Sequence, residues 1–177
     1  MTFNRDKFKA LVHYICRACT SDPSKLGKVK LHKILWYSDG SHFVLRGEPI
    51  TGETYIKKQY GPFAIHLEGA VEDLVREGTL FVHLVSYFGM EKTEFIAKGN
   101  SDKGVFSEKE LAIVNTNIQQ ICEDHTAASI SERTHNEIWE MAALNEPLPY
   151  EALLVARFLK PTEDDFSWAK DEIAKLK

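Results

Sequence analysis

Little in this chain points to demanding chemistry. It holds three cysteines in 177 residues, Cys16, Cys19 and Cys122, an odd number and too few for a disulfide framework, so reduced thiols are expected. No apolar run approaches the roughly 20 residues that a membrane-spanning helix needs. Met1 to Lys7 lead straight into an amphipathic helix with no secretory pattern, which makes a cytoplasmic location the expectation. Glycine-rich phosphate loops, H-E-x-x-H and nucleophile elbows are missing, and the seven histidines are dispersed. Cys16-Arg17-Ala18-Cys19 has C-x-x-C spacing with His13 one turn earlier. It falls late in a predicted helix, away from the N-terminal dipole that lowers a thiol pKa, and no fourth zinc ligand accompanies it. No enzyme activity, metal or cofactor is expected.

What is present suits one globular domain: 44% hydrophobic and 27% charged residues, with a formal net charge of −4, in a chain long enough to bury a core without staples. The charge is uneven. Residues 1–60 carry a balance of +6 and the remainder −10, and Lys25, Lys28, Lys30 and Lys33 crowd the start of a helix. Such a crowd reads as a solvated helix start, or else as a contact for phosphate or an acidic partner.

Taken in order, a first helix is expected over Asp6 to Cys19, with Phe8, Leu11, Val12 and Ile15 on one face. Thr20-Ser21-Asp22-Pro23 is a turn by composition. A central helix follows: Leu31, Ile34, Leu35, Ser38, His42 and Leu45 share one face, with His32, Trp36 and Phe43 beside it, and Gly47 and Pro49 stop it. Thr54 to Lys58 reads as a short extended piece, and Gly61-Pro62 as the start of a third helix, Phe63 to Glu77, ending at Gly78. Leu80 to Tyr87 and Lys92 to Lys98 read as a β-hairpin. Ser107 and Glu110 form a capping box between the staple residues Phe106 and Leu111. A further helix opens near Ser129 or Ser131 and carries His135, Ile138, Trp139 and Ala142, and a charged amphipathic tail spans Glu163 to Leu176. The expected fold is α+β, five or six helices around the central one with a small antiparallel hairpin.

Lys30-Leu31-His32-Lys33-Ile34-Leu35-Trp36-Tyr37-Ser38-Asp39, the Gly47 to Gly52 segment, Tyr55 and Tyr60-Gly61-Pro62 resemble the first half of the Panacea domain, the SocA-like antitoxin domain of bacterial and phage toxin-antitoxin systems. Ile130-Ser131, His135 and Trp139 are similar to that family's later Ser, His and Trp pattern. The two matches cover residues 28–155 or so, in the right order. Trp36-Tyr37-Ser38 departs from the family's usual Tyr-Phe-Ala, which should alter packing and not fold. The resemblance implies an antitoxin that neutralises a cognate protein toxin, encoded by an adjacent gene, through direct binding; some such proteins also deliver the toxin to a protease as adaptors.

Four residues stand out for burial of polar or aromatic character: Asp39, His42, His135 and Trp139. Asp39 and His42 lie one turn apart, near enough for mutual contact, and they fix helix packing or, on an enzymatic reading, serve acid-base chemistry. Tyr55, Tyr60 and Phe63 around the Gly61-Pro62 turn, beside Lys57-Lys58, offer aromatic anchors with a charged rim for a toxin, or else simply hold the turn. The element order also fits a winged-helix DNA-binding domain with the third helix as reader. That helix carries Glu68, Glu72, Asp73 and Glu77 against Arg76, and phosphates would repel it.

Overall fold

The computed structural model describes residues 2–87 and 89–158. Asn4 opens α1 (Arg5–Ala18) by accepting the Lys7 amide on its side chain at 3.0 Å, satisfying one of the first-turn donors that a helix leaves unpaired. Phe8, Leu11, Val12 and Ile15 of α1 are fully buried, as their spacing requires. A 3-10 turn at Pro23–Lys25 leads to α2 (Gly27–Arg46). Gly47, at φ +82°, ends α2 in the left-handed conformation, its amide donating to the Phe43 carbonyl at 2.8 Å.

α2 is the centre of the molecule, packed against α1, β2, β4, α4, α5 and α7. Its buried positions run around most of its circumference, from Leu31, Ile34 and Leu35 to Trp36, Ser38 and Phe43. Leu45, placed on the buried face by periodicity, is instead 63% exposed. It sits in the last turn, lining an apolar groove with Val44, Trp36 and Leu153.

After α2 the chain forms a hairpin of β1 (Tyr55–Lys58) and β2 (Gly61–Ala64), antiparallel in the register Tyr55↔Ala64 through Lys58↔Gly61. Here the structure corrects the reading that Gly61-Pro62 begins a helix. The Ala64 amide donates to the His32 ring at 3.1 Å and Gly61 holds φ +98°, so the segment extends along β1. α3 (Leu67–Arg76) starts only after His66. The long hairpin is as expected: β3 (Leu80–Tyr87) pairs with β4 (Met90–Ala97) without a bulge, from Leu80↔Ala97 to Tyr87↔Met90.

α4 (Glu108–Asp124) carries the anticipated capping box. The Ser107 hydroxyl accepts the Glu110 amide at 3.3 Å, and the Glu110 carboxylate accepts the Ser107 amide at 2.7 Å. Ser107→Ala should therefore destabilise the protein by about 1 kcal/mol, seen as a melting temperature about 2–4 °C lower; an unchanged melt would show that the box contributes nothing. The single helix expected around His135 is two, α5 (Ala127–Thr134) and α6 (Glu137–Met141). Asn136 divides them, its side chain capping α6 by accepting the Trp139 amide at 3.2 Å.

α7 (Glu151–Phe158) completes the described residues; the tail from Glu163 to Leu176 lies outside them. The result is a mainly helical α+β domain with seven α-helices and two separate two-stranded antiparallel sheets among the described residues.

Candidate functional site

The polar interior begins with Asp39, fully buried on α2. One carboxylate oxygen accepts the Thr51 amide at 2.7 Å, and the other accepts the Thr51 hydroxyl at 2.7 Å and the Tyr55 hydroxyl at 2.8 Å. A buried carboxylate is tolerable only with such partners. Burial raises its pKa from the ordinary value, while the Thr51 and Tyr55 bonds oppose the rise. The predicted contact with His42 is not made: the His42 ring pairs through Nδ1 with the Glu48 carbonyl at 2.7 Å. Both residues thus fasten the 47–55 segment to α2, each by its own bond.

Around Asp39 stands a group of rings. Trp36 meets Tyr55 edge to face at 5.1 Å and stacks on Tyr150 at 6.0 Å, and the Tyr150 hydroxyl donates to the Glu53 carbonyl at 2.6 Å. Glu53 is a second buried carboxylate, accepting the Thr54 amide at 2.6 Å and pairing with His66 Nδ1 at 2.9 Å. Its other oxygen is buried with no hydrogen-bond partner among the described residues. Burial pushes the Glu53 pKa up against the His66 bond.

The lysines at the start of α2 depart from the solvated reading. Lys30 and Lys33 are buried; Lys30 donates to the Cys122 carbonyl at 3.3 Å and Lys33 to the Pro62 carbonyl at 3.1 Å. Burial drives the Lys33 pKa down to about 7, because the interior penalises the ammonium. Gly61 is required beside it: a Cβ there would fall 2.6 Å from Lys33 Nζ and also strike Thr134. His32 accepts the Ala64 amide through Nδ1, so its proton sits on Nε2, which is buried with no hydrogen-bond partner among the described residues. Burial and the neighbouring lysine charges push its pKa down to about 3. Lys25 pairs with Glu123 and Lys28 with Glu68 on the surface.

Cys16 is fully buried and burial raises its thiol pKa. Cys19 and Cys122 place their sulfurs 3.7 Å apart, bringing the C-terminal ends of α1 and α4 together. Among the described residues no group of three or more His, Cys, Asp or Glu side chains is placed to hold a metal.

The candidate toxin-binding residues divide in two. Tyr55 is 1% exposed and its hydroxyl is committed to Asp39, so it belongs to the core and to no contact surface. Tyr60 is 60% exposed at the hairpin turn, and Phe63 is half-buried, stacked on His32 at 4.1 Å. Lys57 lays its ammonium 3.9 Å from the Trp139 ring centre and donates to the Ala142 carbonyl. Lys58 bonds the Asn145 side chain at 2.6 Å. His135 stacks on Trp139 at 3.8 Å, and the Trp139 indole donates to the Lys58 carbonyl at 3.1 Å. The later Ser-His-Trp segment therefore packs onto the first hairpin, remote in sequence but joined to it in space.

Sequence reasoning missed what this docking exposes. The 145–148 segment bonds along β1: the Asn145 amide donates to the Lys57 carbonyl and the Lys57 amide to the Glu146 carbonyl, each at 2.9 Å, and the Leu148 amide donates to the Tyr55 carbonyl at 2.8 Å. Met141 and Leu144, on the same connection, stand 85% and 63% exposed. Their apolar side chains looked like ordinary helix and loop residues, and only the docking of 139–148 onto β1 shows that the residues following them, Ala142 and Asn145, meet Lys57 and Lys58. Three of the four acidic residues named on the third helix meet cations, Asp73 with Arg5, Glu77 with Lys9 and Glu68 with Lys28, while Glu72 is exposed.

These features define a helical domain built on one polar, buried helix, with an apolar and basic face at its first hairpin. The family model described as antitoxin SocA-like, Panacea domain matches residues 31–140, and the chain belongs to that family. No curated protein and no solved structure matches it. Among the described residues no helix is long and apolar enough to cross a membrane.

Proposed function

We propose that this protein is an antitoxin that neutralises a cognate toxin by binding it directly. Membership of the antitoxin family over residues 31–140 carries the reading. The face of Tyr60, Met141 and Leu144 supplies a place for it, with Lys57 and Lys58 at the rim. A stable interface buries about 1,200 Å² or more around a few aromatic or apolar anchors. Exposed apolar side chains with charge at the rim are what such a centre and rim need. Occlusion is the mode proposed; delivery to a protease would use the same contact but would shorten the toxin's lifetime.

Co-expression with the adjacent gene product should rescue growth, and the two proteins should copurify. Tyr60→Ala and Leu144→Lys should each weaken the complex at least about tenfold, about 1.4 kcal/mol, while shifting the melting temperature by no more than about 2 °C, since both side chains are exposed. A harmless neighbour, or a toxin whose effect persists with this protein in excess, would end the reading. A toxin that disappears from cells only when this protein is present would favour the adaptor mode over occlusion.

A further inference from the structure

The strand β3 has the sequence of an interior strand and the position of an edge strand. Leu80-Phe81-Val82-His83-Leu84-Val85-Ser86-Tyr87 contains no Asp, Glu, Lys, Arg, Gly or Pro. Near-continuous apolar strands are normally covered on both faces and paired on both edges. Its partner β4 reads differently, with Glu91, Lys92 and Glu94 among its first five residues, as an outer strand should. Yet among the described residues the sheet has these two strands and no more.

On its inner side β4 is tied to the body, its Ala97 amide donating to the Thr20 hydroxyl at 3.1 Å and its residues packing on α1 and α2. β3 touches the body through α3 near its start. Beyond that point Phe81, Val82 and Leu84 are exposed, at 37%, 40% and 66%, on both faces of the strand. Among the described residues no strand pairs with its outer edge, where an unbulged register points every second backbone N–H and C=O. None of the usual protections of an edge, an inward lysine, a proline or a bulge, is present on β3.

We infer that β3 pairs edge to edge, antiparallel, with β3 of a second copy, giving a four-stranded sheet in the order β4-β3-β3-β4. A second copy is the occupant that the composition selects. Pairing β3 with itself makes both copies' apolar strand interior in one contact and leaves the charged β4 strands at the two outer edges. A strand without Asp, Glu, Lys or Arg also meets itself with no such like charges opposed, the condition that cross-strand pairs require. The two-fold contact is self-complementary and closes, so it stops at a dimer. The face of Tyr60, Met141 and Leu144 takes no part in it, and the pairing stands or falls independently of the toxin.

Sedimentation or light scattering on the purified protein alone, from low to high micromolar concentration, tests it. The wild type should move from one chain to two as concentration rises. Leu84→Lys and Val82→Lys should each raise the dissociation constant at least about tenfold, with circular dichroism and melting behaviour of the monomer unchanged because both positions are exposed. Glu91→Lys, on β4, should leave the equilibrium as it is. A wild type that stays monomeric at high concentration would overturn the inference, as would a dimer that both lysine variants leave intact. A monomer whose capture of the toxin is lost in Leu84→Lys would give the edge to a foreign strand and overturn self-pairing equally.

Discussion

Asp39→Ala should be among the most damaging single substitutions in this protein, lowering stability by about 3 kcal/mol or more and the melting temperature by about 6–12 °C. The carboxylate is the shared acceptor for the Thr51 amide, the Thr51 hydroxyl and the Tyr55 hydroxyl. Alanine leaves all three buried donors unanswered, at about 1–3 kcal/mol for each stranded group, partly offset by relief of the carboxylate's own desolvation. Asp39→Asn should lose less than half as much, because its carbonyl keeps the Thr51 amide and both hydroxyls can turn to accept from its amide. The pH dependence separates the two costs. Burial raises this carboxyl above its ordinary 3.8, so between the unfolded and folded values the native state holds the extra proton. The stability this group contributes is present below that window and is lost as pH rises through the folded pKa. Asp39→Asn should flatten that fall. Melting curves across acid pH decide it, and an alanine variant within about 2 °C of wild type would remove Asp39 from the centre of the fold.

Lys33→Met should act in the opposite direction, stabilising the protein at neutral pH by an amount on the order of 2 kcal/mol, or about 4–8 °C. The ammonium is almost wholly buried and has the Pro62 carbonyl as its hydrogen-bond acceptor. Methionine fills a similar length without charge and forfeits a bond worth about 1 kcal/mol. Since burial lowers the Lys33 pKa from 10.5 to about 7, the unfolded chain holds more protons than the native one between those values. Wild-type stability should then climb as pH rises from about 7 towards 10.5. The difference between wild type and Lys33→Met should be largest at and below neutrality and shrink through that window. A variant less stable than wild type at pH 7, with the same pH profile, would mean that the ammonium contributes more than its burial costs.

Much of the fold was legible because local signals agreed with the packing. The capping box at Ser107, the left-handed glycine after Arg46 and the buried stripe of α1 are all determined by neighbouring residues, and each stands where its spacing places it. What failed depended on partners far along the chain. Gly61-Pro62 looks like a helix start until His32, 32 residues earlier, takes the Ala64 amide. Lys30 and Lys33 look solvated until α4 and β2 close over them. Tyr55 looks like a surface anchor because aromatics beside a turn often are, and only Asp39 and Tyr150 together draw it inside. His135 and Trp139 were singled out for their pattern, but their place against Lys57 and Lys58 follows from the docking of α6 on the first hairpin, which no local spacing encodes.

α2 has one more consequence, for where this inheritance begins and where its architecture does. The stretch shared with the family starts at residue 31, inside the central helix, and stops at residue 140, inside α6. The first turn of α2 and the whole of α1, with Phe8, Leu11 and Ile15 at zero exposure, fall before that boundary, and Leu148 and Tyr150, which close over Tyr55, fall after it. The portion recognisable by descent is thus smaller than the portion that excludes water from its own centre. A helix walled on every side needs its outermost walls as much as its signature residues, and here those walls stand where kinship to the family model is no longer visible.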